Sequence, residues 1–335
     1  MTALTVDLGA RSYDVILERE SLASAGEKLD LDRRVLIVTD AGVPAEYAAA
    51  VAAQCRAPLL RCVPQGEGSK SLSVLETLLT DMLRAGFTRG DCVCAVSGGV
   101  VGDLAGFAAA CYMRGVDFYN VPTTVLAQVD SSIGGKTAVN LGGVKNIVGA
   151  FWQPRRVLID PDTLQTLSPR LRAEGLAEAV KAGLIADASL FERFEAGVGE
   201  ADLEDVIGKA LRVKKTVVEA DEHEGGLRKI LNFGHTIGHG IESVTGLLHG
   251  ECVALGMLPM CSRPVRARLL PVLEKLGLPT RVQADPEAVY AALLHDKKMG
   301  AGTVSAVFVD EPGRCAVREV PPESLRPLIR EVAAP

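Results

Sequence analysis

The first half of the chain alternates short apolar runs with longer amphipathic segments. The apolar runs are typical of buried strands, and they predict strands at 34–40, 58–64, 91–99, 116–122 and 155–160. Amphipathic segments between these runs, such as 45–54 and 71–86, have the periodicity of helices. Strands that alternate with helices predict a largely parallel sheet covered by helices. Before this region, LTVDLG and YDVILE predict an N-terminal hairpin.

The pattern changes from about residue 168, where long helical segments such as 170–185 and 204–221 replace the strands. A late pair of apolar runs, 303–310 and 314–320, flanks Glu-Pro-Gly and predicts a β-hairpin. We therefore expect two domains in an α/β plus α arrangement. Residues 1–165 would form an α/β domain with a mostly parallel sheet, and residues 166–335 a mainly α-helical domain.

The composition of the chain limits the binding partners and the cellular location that we expect. The 335-residue chain has a net charge of −6 and no long Lys/Arg block, which argues against nucleic acid as a partner. The sequence begins without the basic and apolar segments of a signal peptide, and no apolar run reaches the ~18 residues of a membrane span. The eight cysteines are scattered. They predict buried, reduced thiols in a cytoplasmic protein.

A glycine-rich segment, SGGVVGDLAG (97–106), follows an apolar strand and opens a helix. Gly98, Gly99 and Gly102 would let backbone N–H groups approach a pyrophosphate at the helix N-terminus. The spacing is not the strict G-x-G-x-x-G fingerprint, so a tight structural turn is an equal interpretation. Asp40 ends an earlier strand, where it could bind a ribose hydroxyl or cap a helix.

The segment DSSIGGKTAVNLGGVKN (130–146) contains Gly-Lys-Thr, as a phosphate-binding P-loop does. A true P-loop needs glycine at position 130, where this chain has Asp130, so that interpretation is rejected. We expect a flexible loop with two lysines, Lys136 and Lys145. Such a loop suits a phosphate, although a solvated surface loop has the same sequence pattern.

Three of the five histidines lie within residues 232–251. Four polar residues nearby are spaced four, three and four positions apart, which predicts that they share one helix face: Arg228, Asn232, His235 and His239. His249 then follows a short turn and opens a second helix.

Two or three histidines with one carboxylate are typical of a catalytic zinc-type site. The motif is not H-E-x-x-H, and spacing alone leaves the carboxylate open among Glu178, Glu242 and Glu251. Glu178 precedes Lys181 by three residues, so the two form either an acid–base pair in a site or an ordinary surface ion pair.

Taken together, these motifs resemble the 3-dehydroquinate synthase family over residues 5–330. The most specific blocks are 64–72, 97–115, 121–140, 145–154, 175–185, 231–242 and 249–257. The resemblance implies an NAD- and divalent-metal-dependent lyase of the shikimate pathway, which leads to chorismate and the aromatic amino acids. It also implies a cytoplasmic homodimer with a small sugar phosphate as substrate. Residues 1–165 would be the nucleotide-binding domain for NAD, and residues 166–335 would bind the metal and the substrate.

The resemblance further assigns residues. The metal ion, Zn²⁺ or Co²⁺, would be bound by Glu178, His235 and His249, with His239 a nearby imidazole. NAD would contact Asp40, Glu67, Lys70, Gly98, Gly99, Val100, Asp103, Thr123, Thr124, Asp130, Lys136, Lys145, Asn146, Thr166 and Leu167. The substrate would contact Arg114, Asp130, Lys136, Lys181, Lys214, Arg228, Asn232, His239 and Lys297, the last preferred over Lys298, and these residues with Glu178 would form the catalytic set.

The implied substrate is 3-deoxy-D-arabino-heptulosonate 7-phosphate, whose carboxylate and phosphate explain the cationic residues in an acidic protein. The implied reaction begins with hydride transfer from C5 to NAD. Phosphate elimination, return of the hydride, ring opening and an aldol closure would follow.

The chain departs from the family pattern in a shorter turn before His249 and a shorter segment after Met257. It also has Val-Ser-Gly-Gly at 96–99, and Gly42 stands where asparagine is common. Three other functions share parts of the pattern: a metal-dependent NAD alcohol dehydrogenase, a cyclase for another sugar phosphate, and a non-catalytic NAD- or sugar-phosphate-binding protein.

Overall fold

A computed structural model describes residues 2–296 and 302–334. The chain divides into two compact units, Met1–Leu167 and Ser168–Pro335.

The first unit contains the alternating strands and helices predicted from the apolar pattern. Its strands are β1 (Thr2–Val6), β2 (Tyr13–Leu17), β3 (Arg34–Asp40), β4 (Ala57–Val63), β5 (Cys92–Ser97), β6 (Asp117–Pro122), β7 (Lys136–Leu141), β8 (Val144–Phe151) and β9 (Arg156–Ile159). Its helices are α1 (Ala25–Leu29), α2 (Ala45–Ala52), α3 (Leu72–Arg84) and α4 (Gly99–Cys111).

Seven of these strands form one sheet in the order β1-β2-β9-β6-β5-β3-β4. All neighbours are parallel except β1 and β2, which form the predicted N-terminal hairpin. Alternate residues of β3 enter two different apolar cores: Leu36 packs with helices α3 and α4, and Ile37 packs with α1 and α2. A strand covered on both faces reads as a continuous apolar run, which is why β3 is so visible in the sequence.

The strand order reverses between β3 and β5, because the chain moves outward from β3 to β4 and then returns to the other side of β3. Asp40 ends β3 and Ser97 ends β5, so both lie at the carboxyl edge of the sheet. In open α/β sheets this reversal point is where ligands bind.

Residues 130–146 are not the flexible loop that the sequence predicted. A short π-helical turn, Ala127–Ser131, leads into an antiparallel hairpin of β7 and β8. Lys136 opens β7, and Lys145 is the second residue of β8. Gly142 and Gly143 connect the strands with φ of +60° and +79°, and a two-residue hairpin turn requires such positive values.

The second unit is mainly helical, as expected. Its helices are α5 (Pro169–Ala186), α6 (Ala188–Ala196), α7 (Leu203–Ala220), α8 (His235–Val244), α9 (His249–Met257), α10 (Arg263–Leu276), α11 (Pro286–Asp296) and α12 (Leu325–Arg330). Short strands β10 (Val282–Gln283) and β13 (Ala333–Ala334) pair, and β11 (Val304–Glu311) with β12 (Arg314–Val320) forms the predicted late hairpin. Helix α5 packs against α6, α7 and α9.

The prediction of one continuous helix through Arg228 and His239 was wrong. Leu227–Asn232 forms a 3₁₀ segment, the chain turns at Gly234 with φ of +79°, and α8 begins only at His235. A Cβ at Gly234 would lie 2.7 Å from both Met257 Cγ and Val253 O. The break therefore lets α9 pack directly against the backbone at Gly234.

No helix in the described part of the chain is long and apolar enough to cross a membrane. All eight cysteines are free thiols, as predicted, but they are not all buried. Cys62 and Cys111 are exposed, because they lie on the edge strand β4 and at the end of α4.

Candidate metal centre and nucleotide-binding edge

Three helices of the second unit bring the proposed metal ligands together. Glu178 lies in the middle of α5, whereas His235 and His249 are the first residues of α8 and α9. Glu178 Oε1 is 3.4 Å from His235 Nε2 and 3.3 Å from His249 Nε2. The three ligand atoms thus surround one point from three sides.

These distances fit a tetrahedral cation. Ligand atoms at about 2.0–2.2 Å from a tetrahedral zinc ion are about 3.4 Å from one another. Both Glu178 carboxylate oxygens are buried, and the Lys181 ammonium contacts Oε2. Buried carboxylate oxygens need compensation, which Lys181 and a bound cation would supply together. The donor set of one carboxylate and two imidazoles suits zinc or cobalt.

The outer nitrogen of each imidazole has an oxygen partner. His235 Nδ1 is 3.1 Å from the backbone oxygen of Phe233, and His249 Nδ1 is 3.2 Å from Glu242 Oε2. An oxygen partner favours hydrogen on Nδ1 and leaves the lone pair on Nε2, which faces Glu178. Both histidines are therefore oriented for binding through Nε2.

The pKa shifts of the three proposed ligands indicate a site that favours positive charge. Burial raises the pKa of Glu178, but the Lys181 ammonium and the contacts with the two imidazoles outweigh burial and hold that pKa well below its usual value. Burial and the Lys181 ammonium hold the pKa of His235 well below 6.5, so this imidazole is neutral. Burial lowers the pKa of His249, yet its contacts with Glu178 and Glu242 raise it to about 10.

Cationic side chains predicted to contact substrate are unusually buried. The exposed fraction is 3% for Lys181, 8% for Lys214 and 2% for Arg228. Lysine and arginine are almost never fully buried without partners. Helix α5 packs against α7 and against the 3₁₀ segment that carries Arg228, so these cations lie on adjoining elements. The surface ion-pair interpretation of Glu178 and Lys181 is therefore wrong.

In the first unit, Gly98 caps α4 and Gly99 begins it, directly after β5. A Cβ at Gly98 would be 3.1 Å from Thr124 Cγ2, and one at Gly99 would be 2.9 Å from Ser131 Oγ. The two glycines thus let the backbone come close to residues 124 and 131 and leave the N-terminus of α4 without side chains. A helix N-terminus of this kind presents N–H groups to an anion.

Asp40 lies beside this helix start. Its carboxylate accepts hydrogen bonds from Ser97 Oγ and, at 2.7 Å, from the Gly42 N–H. The helix-cap interpretation of Asp40 was wrong, because α2 begins at Ala45 after Pro44. The space beside Gly42 is filled by the Gln65 carboxamide, 2.3 Å from a Cβ placed there.

A second polar cluster in this unit joins five more residues. Lys70 is 5% exposed and its ammonium contacts Asp103 and the Asn146 side chain. Asn140 links the cluster to Glu67, since its Nδ2 donates to Glu67 Oε1 at 2.8 Å and its Oδ1 accepts from the Asn146 N–H. Lys70, Asp103, Asn146 and Glu67 were all predicted to contact NAD, and the structure brings them together.

Comparison with known proteins decides the family. The N-terminal family model of 3-dehydroquinate synthase matches residues 60–174, and the C-terminal model matches 175–299. The chain belongs to the 3-dehydroquinate synthase family. It is 44% identical to the 3-dehydroquinate synthase of Enterococcus faecalis over 96% of this chain and 97% of that protein. The enzyme of Streptococcus suis is 42% identical, with 96% and 98% covered.

Solved structures agree with this family assignment. A 2-deoxy-scyllo-inosose synthase complexed with carbaglucose-6-phosphate, NAD⁺ and Co²⁺ has a TM-score of 0.89 at 28% identity, covering 99% of this chain and 100% of that one. A 2-epi-5-epi-valiolone synthase from Streptomyces hygroscopicus with NAD⁺ and Zn²⁺ has a TM-score of 0.87 at 27% identity, covering 99% and 98%. Glycerol dehydrogenase of Schizosaccharomyces pombe shares the fold alone, at 16% identity and a TM-score of 0.66.

The other residues that were predicted to bind NAD or substrate differ in their burial and in their hydrogen-bond partners. Thr123 follows β6 and its N–H donates to Ser97 O at 3.0 Å, while Thr166 Oγ1 accepts from the Tyr47 hydroxyl. Arg114, Lys136 and Lys145 are exposed, Asp130 and Val100 are half-buried, and Leu167 ends the unit. Asn232 Nδ2 donates to Glu224 Oε1 at 2.8 Å. Lys297 and its neighbour Lys298 lie outside the described residues.

Sequence reasoning missed the carboxylates of Glu174, Glu224 and Asp221, and it left Glu242 and Glu251 undecided as metal ligands. Glu174, one turn before Glu178, accepts the Gly250 N–H at 3.0 Å, and Glu224 contacts Asn232. Glu251 is not a ligand, because it pairs with Arg170 at 2.6 Å and 2.7 Å and accepts the Leu248 N–H. Asp221 accepts the N–H groups of three residues, Gly225, Gly226 and Arg228. No spacing rule connects these groups, since each contact depends on how two elements approach.

Proposed function

We propose that this chain converts 3-deoxy-D-arabino-heptulosonate 7-phosphate into 3-dehydroquinate and inorganic phosphate. The observation that carries the proposal is the buried Glu178–His235–His249 cluster with Lys181 beside it. It occurs in a chain whose curated relatives are 3-dehydroquinate synthases at 40–44% identity.

The proposed cofactor is NAD, which would accept a hydride from the substrate and return it within each turnover. The N–H groups at Gly98 and Gly99 would face its pyrophosphate, and Asp40 would accept a hydrogen bond from a ribose hydroxyl. The Lys70 cluster, with Glu67, Asp103 and Asn146, would hold another part of the same cofactor. Val100, Thr123, Thr124, Asp130, Lys136, Lys145, Thr166 and Leu167 complete the proposed NAD-contacting set.

The proposed metal ion is Zn²⁺ or Co²⁺, held by Glu178, His235 and His249, and it would supply Lewis acidity toward an oxygen of the substrate. Phe233 O and Glu242 orient the two imidazoles. Lys181 keeps the Glu178 carboxylate ionised, which lets that side chain bind a cation at neutral pH.

In the second unit, the proposed substrate contacts are Lys181, Lys214, Arg228, Asn232 and His239. Buried cations attract an anionic substrate more strongly than exposed ones, because water screens them less. Asp221 and the Glu222 carbonyl hold Arg228 in place. In the first unit, Asp130, Lys136 and Arg114 are the proposed contacts, and the last two would hold the substrate phosphate.

The substrate phosphate would take the proton during elimination. The residues of the chain then orient the substrate and bind its charges, and such positioning alone accounts for large rate gains. Lys297 belongs to the proposed substrate set by resemblance only.

We also propose a cytoplasmic homodimer that binds neither nucleic acid nor membrane. The net charge of −6 supports the proposal that the chain does not bind nucleic acid, since nucleic-acid binders carry basic surfaces. Light scattering coupled to size-exclusion chromatography tests the dimer directly.

The decisive experiment measures phosphate release from 3-deoxy-D-arabino-heptulosonate 7-phosphate with catalytic NAD, after chelation and after zinc restoration. We expect release that stops with chelator and returns with zinc, without NADH accumulation. NADH that accumulates without phosphate release would support an alcohol dehydrogenase instead. Folded, zinc-loaded protein that turns over neither way would refute the substrate, and other sugar phosphates would be assayed next.

A further inference from the structure

The imidazole of His249 lies between two carboxylates. Its Nε2 faces Glu178 Oε1 at 3.3 Å, and its Nδ1 faces Glu242 Oε2 at 3.2 Å. Glu242 lies seven residues after His235 on α8, so the two share one helix face. The Glu242 side chain is 18% exposed, which shields this contact from water.

The two carboxylates cannot have the same role. The nitrogens of an imidazole point in different directions, so one ring cannot direct both of them to a single ion. Glu178 also faces His235 Nε2, whereas Glu242 faces Nδ1 of His249. A second possible cation set, His239, Glu242 and His249, would use the Nδ1 side instead. The Glu178 set is favoured because its carboxylate is 1% exposed, against 18% for Glu242, and faces Nε2 of both His235 and His249.

The backbone that carries His249 is already held by other groups. The Leu248 N–H donates to Glu251 Oε2 at 2.8 Å, and the Gly250 N–H donates to Glu174 Oε2 at 3.0 Å. A Cβ at Gly250 would lie 1.8 Å from Glu174 O, so the first turn of α9 packs tightly on α5. These backbone contacts do not fix the rotation of the imidazole ring, and they do not decide which of its two nitrogens carries the hydrogen.

We propose that Glu242 is a positioning residue that fixes the orientation and tautomer of His249 for metal binding. This inference rests on the proposed metal-dependent function. The carboxylate accepts the Nδ1 hydrogen, keeps the Nε2 lone pair directed toward Glu178, and makes the imidazole a better donor to a cation. It contacts neither the ion nor the substrate.

The test measures zinc affinity by competition with a chromophoric chelator, which requires no turnover. We expect Glu242→Ala to raise the zinc Kd by about 10- to 100-fold, the usual effect of losing such a partner. Glu242→Gln retains an acceptor oxygen and should lose less affinity. Ser243→Ala, at the next and exposed position of α8, is the matched control and should bind zinc as the unchanged protein does.

Cobalt-loaded protein provides a second measurement, because the visible absorption of Co²⁺ reports its coordination geometry. Glu242→Ala should change these bands, and Glu242→Gln should restore them in part. Unchanged zinc affinity and unchanged bands in both variants would refute the positioning role. Loss of zinc from Glu242→Ala as complete as from Glu178→Gln would also refute it and make Glu242 a ligand. An unchanged chain that bound neither zinc nor cobalt would refute the proposed metal centre and the positioning role together, whereas normal binding in the unchanged chain with no effect in the variants would refute the positioning role alone.

Discussion

Lys181 pairs with Glu178 from one turn further along α5, and both side chains are buried, at 3% and 1% exposed. A buried ion pair costs desolvation and adds little stability, so stability alone does not account for this pair. The lysine holds the carboxylate ionised at the place where two imidazoles converge. One helical turn thus carries both a proposed ligand and the group that keeps it charged.

Replacing Lys181 by alanine should separate cofactor binding from chemistry. We expect NAD affinity to be retained and turnover to fall by about 100-fold or more, because a buried charge near the reacting groups is lost. Fluorescence titration with NAD and steady-state kinetics measure the two quantities. Turnover equal to that of the unchanged protein would remove Lys181 from the substrate-contacting residues.

Replacing His235 by alanine should remove the metal, since a site with two remaining ligands binds zinc weakly. Elemental analysis of purified protein measures the loss. His223→Ala is the matched control, because His223 is 61% exposed and lies outside the cluster. Equal zinc content in both variants would contradict the proposed ligand set.

Gly234→Ala should destabilise the protein by about 3 kcal/mol, from a disfavoured backbone conformation and a new clash with α9. The native φ is +79°, and the added Cβ would be 2.7 Å from Val253 O. Gly246→Ala is the control, because a Cβ there meets nothing within 4 Å. Urea denaturation of both variants should show a large loss only for Gly234→Ala, and equal stabilities would argue against the tight helix contact.

Asp221 should make stability depend on pH in the acid range. Backbone N–H groups of Arg228, Gly226 and Gly225 hold its pKa below the usual value in the folded state. Its contribution is therefore complete above the unfolded pKa of about 3.9 and is lost as pH falls through the lower, folded pKa. Asp221→Asn should be less stable than the unchanged protein at pH 7, with the difference shrinking in acid. A difference independent of pH would rule out the carboxylate charge as its cause.

The sequence by itself determined most of the fold and much of the candidate site. Strand β3 was predicted with its bounds, because a strand buried on both faces reads as an uninterrupted apolar run. The segment that opens α4 was visible because glycines after a strand mark a close backbone turn. The concentration of histidines at 235–249 indicated a metal site before any geometry was available.

Tertiary structure alone decided the details on which the chemistry depends. Gly234 interrupts the predicted helix because α9 packs against it, and the hairpin at 136–151 depends on positive φ at Gly142 and Gly143. The choice among Glu178, Glu242 and Glu251 depends on which carboxylate faces Nε2, which faces Nδ1, and which pairs with Arg170. Residue spacing describes neighbours along one element, whereas these contacts join side chains from separate helices whose approach is set by packing.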